Sequence, residues 1–302
     1  MRELDPIRSK NSKIRADFVA LTLVLFFVST ANALVVSEEV FVSNGGELES
    51  VLETIERANA GLRAKSLSAP FQAVGWIGNC TATWLGNEGA WSYILTAAHC
   101  SNYDGGVETE QPTRRTFRSY RNEIVASGNG TVFLHPYRVD RPEGHGGAST
   151  DIALLKLPLV NPIVDDDGEP VSQPILYDGD SELSQTVEFV GYGLWGVGET
   201  TLGGFSPQEG LRRLWGESVI TSVFEREHGI GAIYVPKINE GGEVNLNWAR
   251  VASGDSGSAW WQDHQGVKTI VATTNGGHAT FSTGARVSQY AAWVKSIYAG
   301  VR

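Results

Sequence analysis

The stretch SGDSGSAWW, residues 253–261, sets Asp255 and Ser256 among small residues and then runs straight into two tryptophans. One reading is structural: Gly and Ser make a turn, and Trp260 and Trp261 begin a buried strand. The other is chemical: Gly254 lets backbone N–H groups converge on an incoming carbonyl, and Ser256 attacks it. Read alone, the stretch admits both. A serine hydroxyl is a weak nucleophile near neutral pH, so the chemical reading needs an imidazole to take its proton and a buried acceptor to orient that imidazole.

Six histidines are available: His99, His135, His145, His228, His264 and His278. His99 ends the apolar run ILTAAHC (94–100), directly before a cysteine, where an imidazole is held at the edge of a core. Asp151 opens DIALLKL (151–157), a carboxylate ahead of Ile152, Leu154, Leu155 and Leu157. Each also has a plain structural reading, a strand-end histidine and a turn-capping aspartate.

The surrounding chain favours β structure. Its 302 residues suit one large or two ordinary domains, and 41% hydrophobic content supports a substantial core. Short apolar runs such as FQAVGWIG, CTATWL, WSYILTAAHC, TVFLHPY, DIALLKLPL, TVEFVGYG and KTIVATTN alternate with Gly, Asn, Asp or Pro signals, which predicts an all-β fold. The chain closes on VSQYAAWVKSIYAG, where Tyr290, Val294 and Ile297 have helical spacing and Gly300 marks a stop. A net charge of −10 without a basic stripe argues against nucleic acid and anionic membrane as partners. Asp165, Asp166 and Asp167 read as a solvated loop, because the stretch matches no defined calcium-ligand spacing. The nine tryptophans fall in apolar runs and read as core, which weighs against an unrelated carbohydrate-binding β-protein.

The amino-terminal part reads separately. Arg2, Arg8, Lys10, Lys13 and Arg15 precede FVALTLVLFFV (18–28), which is short for a membrane span and is followed by the small-x-small triplet Ala31-Asn32-Ala33. This predicts a secretory signal over residues 1–33, and its removal leaves the rest more acidic still. In an oxidising compartment the only two cysteines, Cys80 and Cys100, default to one disulfide, and without nearby His pairs they make a poor zinc site. Residues 34–63 read as a propeptide, with helix-like spacing of Leu48, Val51, Leu52 and Ile55 and with Arg57, Arg63 and Lys65 as processing points.

LTAAHC (95–100), DIALLKL (151–157) and GDSGS (254–258), in that order, resemble the trypsin/chymotrypsin-like serine peptidases. The stretches APFQAVGWIGNCTATWL, LHPY, FVGYG and QYAAWVKSI extend the likeness over residues 68–302. The resemblance implies two packed six-stranded antiparallel β-barrels with a C-terminal helix, in a peptidase domain over residues 64–302 with the barrel boundary near 180–185. It implies that His99 is general base and then acid, that Asp151 orients it, and that Ser256 is the nucleophile of an acyl-enzyme mechanism. The N–H groups of Gly254 and Ser256 are the implied oxyanion hole, and Cys80 and Cys100 the implied disulfide beside the histidine. Neither a cofactor nor a metal is implied. The expected partners are protein or peptide substrates, with no nucleic acid and no stable membrane association after signal cleavage, for a monomer that is extracellular or periplasmic.

Several features depart from the family pattern. Gly257-Ser258-Ala259 stands where Gly-Gly-Pro is usual, closer to bacterial and glutamyl-endopeptidase-like members, and no Ile-Val-Gly-Gly lies between Ala33 and Pro70. In relatives the aspartate before the serine is satisfied by a new N-terminus or an internal arginine, which leaves the partner of Asp255 open; cleavage after Arg57 or Arg63 would supply an amine. The disulfides that normally flank the specificity pocket are missing. Arg250, six residues before Ser256, takes the position that lies at the pocket base in the family, where an arginine implies a preference for Glu or Asp before the scissile bond; the other reading is that it turns to solvent or pairs with a nearby acid such as Glu243. Thr273, Thr274, Asn275 and His278 are expected near the far wall of that pocket. The alternative is a non-catalytic binding homologue of the same fold; such proteins usually lack a triad residue, and all three are present here. Asn79-Cys80-Thr81 and Asn129-Gly130-Thr131 fit the N-glycosylation pattern.

Overall fold

The computed structural model describes residues 34–101, 108–136, 150–198, 200–201, 213–224, 229–233, 248–278 and 281–302. The expected signal segment, His145 and His228 lie outside them. Among the described residues no helix is long and apolar enough to cross a membrane.

The chain begins with β1 (Val35–Val36), α1 (Glu38–Ser43) and α2 (Val51–Ser66). Ser37 caps α1, its hydroxyl accepting from the N–H of Val40 at 2.9 Å, with Glu38 and Glu39 in the first turn where the helix dipole favours them. In α2 an early Glu53 and late Arg63 and Lys65 complement the dipole in the same way. The helical spacing is as expected, but the buried stripe is not. Ile55, Ala58 and Leu62 face the core, whereas Leu48 and Leu52 face solvent, Leu52 at 69% exposure.

Six strands then form the first barrel: β2 (Val74–Ile77), β3 (Cys80–Glu88), β4 (Trp91–Thr96), β5 (Glu110–Arg118), β6 (Ile124–Leu134) and β7 (Ala153–Pro158). Their order, β2-β3-β4-β7-β6-β5, closes where Trp76 pairs with Arg118 and Ile77 with Phe117. Ile77, Trp84, Ile94, Phe117, Val132 and Leu155 fill the interior. The alternation that marks a half-buried strand holds where β7 reaches the rim, with Leu155 and Leu157 buried on either side of half-buried Lys156.

The chain crosses to the second sheet by β8 (Ile175–Leu176), ahead of the 180–185 range expected from the sequence. There follow β9 (Thr186–Gly191), β10 (Gly196–Val197), β11 (Thr200–Thr201), β12 (Leu214–Phe224), β13 (Gly229–Ile233), β14 (Ala249–Arg250), β15 (Ala259–His264), β16 (Val267–His278) and β17 (Phe281–Arg286). The run β15-β9-β12-β13-β17-β16 is antiparallel, and β15 pairs with both β9 and β16, which joins its two ends. Trp260 and Trp261 on β15 are fully buried with Phe189, Ile270 and Val271, so the two tryptophans of the opening stretch do begin a core strand. The helix at the carboxyl end, α3 (Ala291–Ile297), is shorter than its spacing suggested, since a 3-10 turn over Val287–Gln289 precedes it. Tyr298, just beyond α3, stacks on Tyr93 of β4 at 4.2 Å between ring centroids.

The segment ahead of the barrels is built into this core. β1 pairs in parallel with β10 and antiparallel with β14, while Leu34, Phe41, Ile55 and Leu62 share one apolar cluster with Phe189 and Trp215 of the second sheet. Arg213, only 4% exposed, fastens the joint. Its guanidinium donates to the carbonyls of Ser66, Phe71 and Val74 and to the Tyr192 hydroxyl. Ser66 ends α2, where exposed helix carbonyls favour a cation.

Candidate active site

Thr96 of β4 pairs with Ala153 of β7, so the ladder sets the residues just past one strand beside those just before the other. His99 lies in the 3-10 turn Ala98–Cys100, and Asp151 lies two residues ahead of β7. One Asp151 oxygen accepts the His99 backbone N–H at 2.9 Å, and the other lies 2.5 Å from His99 Nδ1. The carboxylate therefore fixes both the backbone and the ring. With Nδ1 as donor, Nε2 keeps its lone pair to accept a proton. Asp151 is buried, while the His99 side chain is 40% exposed and accessible to a reactant.

Ser256 sits in the loop from β14 to β15. Gly254 and Gly257 have φ of 91° and 83°, a region that strains residues bearing a Cβ. Space forbids a side chain as well: a Cβ on Gly254 would come within 2.5 Å of Gly193 Cα, and one on Gly257 within 2.1 Å of Thr96 Oγ1. The serine loop thus packs directly on the segment that leads into His99. Thr81 clamps it from the other side, its N–H donating to Ser256 O at 3.0 Å and its hydroxyl to Gly254 O at 2.8 Å. Cys80 and Cys100 form the disulfide, and Cys100 Sγ is 3.7 Å from Ser256 O. A ring nitrogen of His99 and both sulfurs lie within 4.8 Å of one another, but sulfurs joined in a disulfide offer no thiolate to a metal. The backbone N–H groups of Gly254 and Ser256 have no acceptor among the described residues.

Asp255 is wholly buried. Its carboxylate accepts from the N–H groups of Ala252, at 2.9 Å, and Gly193, at 3.1 Å. Burial pushes its pKa up to about 7, against the downward pull of those two hydrogen bonds.

The residues expected at the specificity pocket divide. Arg250, 5% exposed, lies on β14, the strand that enters the serine loop, and pairs with Val35 of β1. Thr273 and Thr274 are buried on β16, and the Thr274 hydroxyl accepts from the Trp260 indole and bonds the Ser258 hydroxyl, both at 2.7 Å. It braces the serine loop. Asn275 accepts from the Thr283 hydroxyl, and His278 ends β16 with its side chain outside the described set. The acidic triplet forms a turn in which Asp165 accepts from the N–H groups of Asp167 and Glu169, and Asp166 pairs with Arg121. Thr81, Gly193 and Ala252 were not singled out from the sequence. Only Thr81 carried a signal, as the neighbour of Cys80.

Two packed antiparallel sheets, with a His–Asp pair on the first and a glycine-framed serine loop packed against the segment that leads into that histidine, define a trypsin-like serine protease fold. The family model for trypsin matches residues 58–294, and the chain belongs to that family. Among solved structures, neuropsin, a serine protease expressed in the limbic system of mouse brain, is 19% identical, with 76% of this chain and 95% of that one covered and a TM-score of 0.49. A Glu endopeptidase in complex with MPD is 15% identical over 78% of this chain and 94% of that one, with a TM-score of 0.47. An inactivated protease paralogue from the scabies mite is 18% identical over 76% and 95%, with a TM-score of 0.45. No curated protein matches the sequence.

Proposed function

We propose that the protein is a secreted serine endopeptidase that works through His99, Asp151 and Ser256. The observation that carries the reading is the double grip of Asp151 on His99, which selects the tautomer a general base needs. Ser256 Oγ attacks the scissile carbonyl carbon as its proton passes to His99 Nε2. The carbonyl oxygen takes up the electron pair and is met by the N–H groups of Gly254 and Ser256. As the C–N bond breaks, His99 returns the proton to the leaving amine, and water then repeats the sequence on the acyl-serine. Labelling by a fluorophosphonate tests it, since only a base-activated serine reacts quickly. Ser256→Ala should retain less than about a thousandth of turnover; an unlabelled wild-type protein would indicate a binding homologue instead.

Export is supported by the disulfide, by the signal-like composition of residues 1–33, and by the solvent exposure of Asn79 and Asn129. The burial of Leu34, Val35, Phe41, Ile55 and Leu62 favours a mature chain that begins at Leu34 and keeps residues 34–63 docked, over one in which cleavage after Arg57 or Arg63 releases them. Edman analysis of active protein distinguishes the two. For the residue before the scissile bond we propose Glu or Asp, resting on the placement of Arg250 on the strand into the serine loop. A higher kcat/KM for Arg or Lys substrates would refute it.

A further inference from the structure

Outside the catalytic site the first barrel carries a cavity of about 510 Å³ whose walls include Trp76, Arg114, Arg115, Thr116, Arg118 and Ser127. Three arginines within five residues of β5 are notable in a chain of net charge −10. None of them has a carboxylate within ion-pair distance among the described residues. Arg118 lies over the Trp76 ring, 5.7 Å from its centroid, and donates to the Asn122 carbonyl at 2.8 Å. Arg115 donates to the Cys100 carbonyl at 2.9 Å, yet its buried Nε has no partner. Burial also draws the pKa of Arg115 down, the mark of a cation whose lost hydration is not offset by a counter-charge. The Thr116 and Ser127 hydroxyls on the same wall bond each other at 2.7 Å, so one of the pair keeps its O–H to donate.

Neutral ligands would leave the guanidinium groups of Arg114 and Arg118 without a counter-charge, whereas carboxylates match their forked donors; Arg115 alternates to the face of Phe117, where it is tied to the Cys100 carbonyl. We propose that this cavity binds the side chains of an acidic peptide segment. It adjoins the site: Arg115 holds the carbonyl of the residue after His99, and Gly78, also in the lining, lies two residues before Cys80 in the turn that leads to the disulfide. On the endopeptidase reading, the cavity selects substrates with acidic stretches away from the bond that is cut.

The binding itself is tested without hydrolysis, using the Ser256→Ala full chain and the fluorescence anisotropy of a fluorescein-labelled hexaglutamate peptide. Saturable binding is expected that weakens from about 20 to about 200 mM NaCl, with none for hexaglutamine. The pair Arg114→Gln and Arg118→Gln should weaken it at least tenfold, and so should Ser127→Glu, which keeps every arginine and places a carboxylate in the cavity. Arg250→Ala, which removes only the acceptance of an acidic side chain proposed for the specificity pocket, should keep the salt-sensitive binding that the cavity variants lose. Loss of binding in Arg250→Ala with retention in the cavity variants would place the peptide in the specificity pocket and overturn the proposal, as would equal binding of hexaglutamine.

Discussion

Asp255 gives the sharpest test of how the chain matures. A carboxylate raised from its ordinary 3.8 to about 7 by burial holds its proton more tightly in the folded protein than in the unfolded chain. Its contribution is fully present below pH 3.8 and is lost as pH rises toward 7, because the folded state must then carry a buried charge. At 1.36 kcal/mol for each pH unit, the loss comes to about 4 kcal/mol. An ammonium beside Asp255 reverses that. Val35 pairs with Arg250 and Gly196, and the two partner segments lead on to Ala252 and Gly193, whose N–H groups hold the Asp255 carboxylate. A chain that starts at Leu34 therefore brings its terminal amine toward that carboxylate. The pair then stays charged through neutral pH, because the carboxylate beside it makes the amine hold its proton more tightly than it does in water. The assay is urea unfolding from pH 4 to 9 on Ser256→Ala, in two forms, the full chain and one beginning at Leu34, each with and without Asp255→Asn. In the full chain, Asp255→Asn should be nearly neutral at pH 4 and stabilising by about 4 kcal/mol at pH 8. In the Leu34 form it should destabilise at neutral pH. Parallel pH profiles for the full chain with and without Asp255→Asn would refute the buried, unpaired carboxylate, and identical behaviour of the two forms would refute the amine.

Asp151→Asn should lower kcat by about 10⁴ near neutral pH and recover partly in alkali, because the wrong imidazole tautomer is its main defect; a flat loss across pH counts against the role given to Asp151. Gly191→Ala would put a Cβ 1.8 Å from Asp255 Oδ1, so thermal unfolding should report a loss of about 3 kcal/mol together with lost activity. Glu182→Gln breaks a buried pair in which Arg286 donates to both carboxylate oxygens at 2.8 and 2.7 Å, and should cost about 3–5 kcal/mol by urea unfolding; a change under about 1 kcal/mol would mean that Arg286 finds another acceptor.

What was legible in the sequence is what local chemistry encodes. His99, Asp151 and Ser256 each stand in a short stretch with its own composition, and the β4–β7 pairing that sets His99 beside Asp151 follows once the first barrel is assumed. The joint at Arg213 was not legible, since its acceptors are backbone carbonyls that carry no residue identity, on a segment 147 positions away in the case of Ser66. Glu182 and Arg286, 104 positions apart, look like two surface charges until the fold buries them together. The stripe of α2 misled for a related reason. Periodicity fixes the helix, but which arc turns inward depends on the sheet it meets, and here that sheet receives Ile55, Ala58 and Leu62.

The same long-range packing joins the amino-terminal segment to the serine loop. β1 inserts between β10 and β14, and β14 leads directly into the serine loop. Gly193, which donates to Asp255, is also the residue against which Gly254 packs without room for a Cβ. Displacing β1 therefore loosens both supports of the segment that carries Gly254, Asp255 and Ser256, and with it the backbone N–H groups of Gly254 and Ser256. Any ligand that bonds those N–H groups favours the ordered loop, and by linkage it favours the docked β1 to the same degree. The state of a strand far from Ser256 in sequence is in this way written into the geometry of the Ser256 loop.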